Sequence, residues 1–67
     1  MATQIYAMNV ACSDAREVVW AVRKGTVSPQ GFSCGSAVYP QGRSGQGMAE
    51  TVYECRRGTA VIRWSVT

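Results

Sequence analysis

The stretch SDAREVVWAVRKG, Ser13 to Gly25, decides the fold, because it reads either as a helix or as a strand. In the helical reading Asp14 is the N-cap, and Glu17, three residues on, reaches back to complete a capping box. Ala15, Val18, Val19 and Val22 then share one face at i, i+3, i+4 and i+7, with Arg23 and Lys24 in the last turn and Gly25 beyond it. In the strand reading Val18, Trp20 and Val22 share a face, but Val19 and Ala21 point the other way and the caps are unused. Start, stop and period coincide only in the helix, which is therefore expected. Trp20 falls off its apolar stripe, where a ring laps over the edge of a core.

Around this segment the chain reads as sheet. Val occurs nine times and Thr five times, while Leu, which helical cores use most readily, is absent. The C-terminal ETVYECRRGTAVIRWSVT predicts a hairpin closed by a two-residue turn at Arg57-Gly58, pairing Cys55 with Ala60, Tyr53 with Ile62 and Thr51 with Trp64. Those side chains and Val66 form a mostly apolar face. Val52, Glu54, Arg56, Thr59, Val61, Arg63 and Ser65 form the other, a separation that a slip of one residue would destroy.

Upstream, TQIYAMNVAC predicts a strand half buried through Tyr6, Met8, Val10 and Cys12, with Ile5 beside Gln4 and Asn9 on the other face pointing to partial cover there too. The two echoing phrases PQGFS, from Pro29, and PQGRS, from Pro40, predict type I turns that bracket the strand FSCGSAVY, in which Phe32, Cys34 and Val38 keep even spacing. The expected fold is thus a single α+β domain over 1–67: a small antiparallel sheet of about four strands with one helix packed on it, in the order β-α-β-β-β. A strand at Val18 to Arg23 would instead give an all-β, five-stranded small barrel.

A chain of 67 residues has a thin core and calls for help from a disulfide, a metal or a partner. Metal is poorly supplied, since there is no histidine and Cys12, Cys34 and Cys55 lie 22 and 21 residues apart without a C-x-x-C pair. An odd cysteine count and an N-terminus without a signal-like apolar run point to reduced thiols acting as small hydrophobes in a cytoplasmic setting; one bridge plus one free thiol is the alternative. The longest apolar stretch, Val18 to Val22, is far too short to span a bilayer, so no membrane role is expected.

Catalysis and cofactors are not expected either. Without histidine there is no Cys-His or Ser-His pair, and the four carboxylates show no poised acid/base spacing. Cys12, just before the predicted helix, is the one candidate nucleophile, and a buried apolar role suits it better. The loop GRSGQG, Gly42 to Gly47, lacks the order and the lysine of a phosphate loop. RGTAVIRW, Arg57 to Trp64, resembles the strand motif of RNA-recognition domains at Arg57, Gly58, Ala60 and, loosely, Trp64, but Thr59 and Val61 stand where the stacking aromatics belong.

The net charge of +3 favours anionic partners without establishing one. The hairpin register gathers Arg56, Arg57 and Arg63, with Arg43 in the glycine loop and Tyr39 before it as further candidate contacts. Glu54, diagonal to Arg63, offers these arginines a partner within the sheet. By elimination the expectation is a non-enzymatic inhibitor or adaptor, of the small bacterial or phage-type accessory class, that binds a protein or nucleoprotein with an acidic surface. Direct nucleic-acid binding through the basic hairpin face is the alternative. Pairing of open strand edges would make the chain a homo-oligomer.

Overall fold

The structure, a computed structural model, describes residues 5–42 and 45–66. Its elements are β1 (Tyr6–Met8), α1 (Cys12–Arg23), a 3₁₀ turn (Pro29–Gly31), β2 (Ser33–Tyr39), β3 (Glu50–Arg57) and β4 (Ala60–Val66). The strands form one antiparallel sheet in the order β1-β4-β3-β2. The expected β-α-β-β-β arrangement is therefore present, and the sheet is open, not closed into a barrel.

α1 ends as its sequence predicts. Gly25 has φ 98; its N–H and that of Thr26 donate to Val22 O at 3.0 Å and Ala21 O at 3.0 Å, the paired bonds of a Schellman cap. The start differs, because the helix begins at Cys12 after an extended Ala11 and no side chain caps it. Asp14 lies in the first turn instead, where a carboxylate still favours the positive helix end. Glu17 does not reach back but accepts a hydrogen bond from Gln30 Nε2 at 3.1 Å.

Ala15, Val18 and Val19 of α1 are buried against Phe32, Cys55, Ala60, Ile62 and Trp64, with Val22 half-buried beside them. Tyr53 stacks on Trp64 with ring centroids 5.1 Å apart. Trp20 is off the stripe and 56% exposed, so it does not lap over the core.

The β3–β4 hairpin pairs Arg57 with Ala60, Cys55 with Ile62, Tyr53 with Trp64 and Thr51 with Val66, two residues away from the expected register. The turn explains the difference. Gly58 has φ 59, and Arg57 and Thr59 are not among the positive-φ residues, so glycine takes the first central position of a type II′-like turn and Arg57 escapes a left-handed backbone. A displacement of two preserves side-chain alternation, and the two faces are those the sequence predicts.

β1 corrects the expected face. Ile5, Ala7 and Val10 pack against the core, whereas Tyr6 and Met8 are exposed. Asn9 adopts φ 58, which breaks the alternation and turns Val10 inward; its side-chain amide holds the bend by donating to Thr59 O at 3.1 Å. Cys12 is likewise exposed and free, outside the core.

The PQG copies also diverge. At the second, Gly42 N–H donates to Tyr39 O at 3.1 Å and Gln41 is not among the positive-φ residues, as a type I turn requires. At the first, Gln30 (φ 52) and Gly31 (φ 79) are both left-handed, and Phe32 N–H donates to Pro29 O at 2.9 Å. This tighter bend drives Phe32 fully into the core.

Against the expected reduced thiols, Cys34 and Cys55 are disulfide-bonded and Cys12 is free, which is the alternative of one bridge plus one free thiol. Cys34 and Cys55 stand directly opposite one another in the β2–β3 register, and their Cα atoms are 4.0 Å apart. Two even-spaced positions of adjacent strands bring them together. Val38, expected on the same buried face, is 66% exposed.

Candidate functional site

α1 covers one face of the sheet, and the side chains of the other face follow from register. Directly opposed residues share a face, so Tyr6, Arg63, Glu54 and Gly35 form one row across the four strands, and Met8, Val61, Arg56 and Ser33 the next. Tyr6 is 51% and Met8 44% exposed on this face, which is open at the β1 side, while Ser65 at its other end is buried.

Glu54 organises the charges. Its Oε1 accepts from Arg56 Nε at 2.7 Å and its Oε2 from Arg63 Nε at 2.5 Å. The hydrogen bond from Arg56, and after it that from Arg63, hold the Glu54 carboxyl below its ordinary 4.5 against an opposing desolvation. The same hydrogen bond raises the pKa of Arg56 and keeps its charge fixed. One carboxylate thus pins two guanidinium groups by their Nε atoms, while both arginine side chains stay more than half exposed, at 60% and 51%. Planar forks of that kind match carboxylate or phosphate oxygens two at a time.

Arg57 does not join them. It alternates onto the helix side, where its guanidinium lies 4.5 Å from the centre of the Phe32 ring and Nη1 donates to Gln30 O at 2.9 Å. Gln30, left-handed though not glycine, is held from both sides by Glu17 and Arg57. Arg57 thus braces the bend and lies over the Phe32 ring.

Tyr39 stands opposite Glu50 at the far end of β2, while Arg56 stands opposite Ser33 at the near end. Six residue steps separate those ends, about 20 Å of strand. Arg43 lies outside the described residues. Of the four singled-out residues that are described, the structure brings together Arg56 and Arg63 alone. Tyr6 and Met8, which the sequence assigns to the core, stand beside them.

Away from this face, Trp20 carries Lys24 Nζ at 5.1 Å and the Arg23 guanidinium at 5.9 Å from its ring centroid, an exposed aromatic ring flanked by two cations. Cys12 opens with Arg16 onto a shallow depression lined by Ile5, Tyr6, Ala7 and Ala15. Among the described residues no cluster of His, Cys, Asp or Glu is placed to hold a metal ion, and no helix is long and apolar enough to cross a membrane. Compared with known proteins, the chain matches no family model, no curated protein and no solved structure.

Proposed function

We propose that this chain is a non-enzymatic binding protein, an inhibitor or adaptor, that docks the open face of its sheet against a larger protein. The observation that carries this reading is the exposure of Tyr6 and Met8 beside two arginines already fixed by Glu54. Pre-set side chains lose less freedom on binding. Their exposed guanidinium groups suit carboxylates of an acidic partner, and the neighbouring tyrosine and methionine supply the apolar contact that interface centres favour.

The charge balance of the face favours protein over a polyanion. Arg56 and Arg63 are offset there by Glu54 and Glu50, which alternate onto the same side of β3. Among the described residues a phosphate backbone would meet two arginines and two glutamates there.

The test is capture of a partner on immobilised protein, comparing wild type with Tyr6→Ala plus Met8→Ala and with Arg56→Glu plus Arg63→Glu. Loss in both variants is expected. Equal recovery from all three removes this face from the account.

Direct nucleic-acid binding is a second reading, favoured by the exposed Trp20 between Arg23 and Lys24. Titration with DNA and RNA across salt concentrations tests it, and no binding at low salt excludes it. The cytoplasmic location belongs with the same proposals. It would leave the Cys34–Cys55 bond open to reduction by the thiol pool, so the bond's state in cell extract tests that location.

A further inference from the structure

The two edges of the sheet are unlike. β1 is three residues long and ends at the left-handed Asn9, so it offers little to pair with. β2 is seven residues long, SCGSAVY, without a charge, a proline or a break in its register. Natural edge strands are usually protected by one of these devices. Every β2 residue but Cys34 is exposed, and in sheet order no described element lies beyond it.

The direction of its free backbone groups can be derived. In an antiparallel pair, closely spaced Cα atoms mark positions that exchange no backbone hydrogen bonds. Cys34 and Cys55, 4.0 Å apart, are such a pair. Gly35, Ala37 and Tyr39 therefore bond to Glu54, Val52 and Glu50, and Cys34, Ser36 and Val38 turn their N–H and C=O groups outward. The hairpin agrees: its closing pair Arg57–Ala60 is a bonded one, so Cys55 turns its backbone groups toward Ile62 and away from Cys34.

We propose that β2 pairs antiparallel with β2 of a second copy about a two-fold axis through Ser36, joining two four-stranded sheets into one. This register uses every residue of the strand and opposes outward groups only to outward groups. Ser36 meets its own copy, and Cys34 meets Val38 in both directions, each pair exchanging two backbone bonds.

Side chains agree with it on both faces. On the helix side the exposed Val38 comes to rest beside the partner's disulfide, whose Cys34 is only half-buried in the monomer. On the open side Tyr39, the largest side chain of β2 there, falls opposite Ser33, among the smallest. No charge of β2 opposes itself. This assembly is independent of the face-docking proposal, because it uses the edge of the sheet and leaves Tyr6, Met8 and Arg63 free.

Light scattering after size exclusion tests it on the whole chain over a concentration series. The expected mass approaches twice 7.2 kDa for wild type and returns to 7.2 kDa for Ser36→Lys, which sets two like charges opposite one another. Ser36→Pro should act alike, because the N–H it removes faces away from β3 and the monomer does not need it. Far-UV circular dichroism checks that both variants keep the sheet. Wild type at 7.2 kDa throughout, or a dimer that survives both substitutions, overturns the proposal. If the variants do not fold, Ser36→Cys in a Cys12→Ser background decides: the two-fold sets the new thiols within disulfide reach, so mild oxidation yields a cross-linked dimer. Failure to cross-link counts against the axis.

Discussion

Reduction of the Cys34–Cys55 bond should lower stability by about 3 kcal/mol. The bond closes a loop with a sequence separation of 21. In the chain-entropy account a loop of that length removes about 11 cal/mol/K from the unfolded ensemble, or about 3 kcal/mol at 25 °C. On the native side little changes, since Cys55 is fully buried and Cys34 half-buried among apolar neighbours and the thiols remain packed as small hydrophobes. A domain of this size has only about 3–10 kcal/mol in total, so the reduced protein retains a fraction of its margin. Urea unfolding with and without a phosphine reductant, followed by tryptophan fluorescence, reads the effect. Trp64 is buried and reports unfolding, whereas Trp20 is already exposed. With an m-value of about 1 kcal/mol/M, the midpoint should fall by about 3 M. Coincident curves from protein whose intact mass shows the bond formed would refute the entropic reasoning, and three free thiols in the isolated protein would refute the bond.

Other consequences are equally open to measurement. Glu54 has a depressed folded pKa, so its contribution is present above the unfolded value near 4.5 and is lost as pH falls through the folded value. Melting temperatures followed downward from neutral pH should therefore drop less for Glu54→Gln than for wild type, and parallel profiles would show the pairing to be energetically idle. Phe32→Ala removes a fully buried ring and should cost about 3–5 kcal/mol. Trp64→Phe should cost less, because it also removes a buried indole N–H that has no partner, an omission worth about 1–3 kcal/mol; chemical denaturation ranks the two. Gly25→Ala forces a Cβ into the left-handed cap and should lose about 1 kcal/mol although nothing lies within 4 Å to clash with it. An unchanged melting curve would mean that the cap relaxes freely.

What was legible in the sequence depended on range. The end of α1 needs only Gly25 and local bonds, and it is where the sequence puts it. Its start is not, because a carboxylate at Asp14 favours the helix equally as a cap or inside the first turn, and the extended backbone of Ala11 made the choice. β1 was inverted by a single dihedral: alternation from Ile5 onward holds only until Asn9 turns left-handed, a conformation that asparagine tolerates and that the pattern of apolar residues does not reveal. That inversion also hid Tyr6 and Met8 from any account of the surface. Arg56, Arg63 and Glu54 were readable because they share one hairpin, and even a register displaced by two leaves them on one face. The disulfide required the register of β2 against β3, which no spacing between 34 and 55 encodes. Arg57 was grouped with its neighbours by sequence, but strand alternation sends it to the side of Cys55, where Phe32 and Gln30 occupy it.

The placement of charge separates the proposed binding modes further than the net value of +3 does. On the open sheet face the arginines and glutamates described here balance, while the exposed surface of α1 carries Arg16, Arg23 and Lys24 against Asp14 and Glu17, and the cations nearest Trp20 are Arg23 and Lys24. A protein held on the sheet face through apolar contact and two pre-set forks should therefore lose little affinity as salt is raised from about 50 to 200 mM, because short, paired charges are poorly screened. A phosphate chain drawn to the helix end should release counterions and weaken steeply over the same range. Affinity measured for the captured partner across that range decides which surface holds it: a shallow dependence abolished by Tyr6→Ala fits the sheet, and a steep one abolished by Trp20→Ala and unaffected by Arg63→Glu moves the site to the helix.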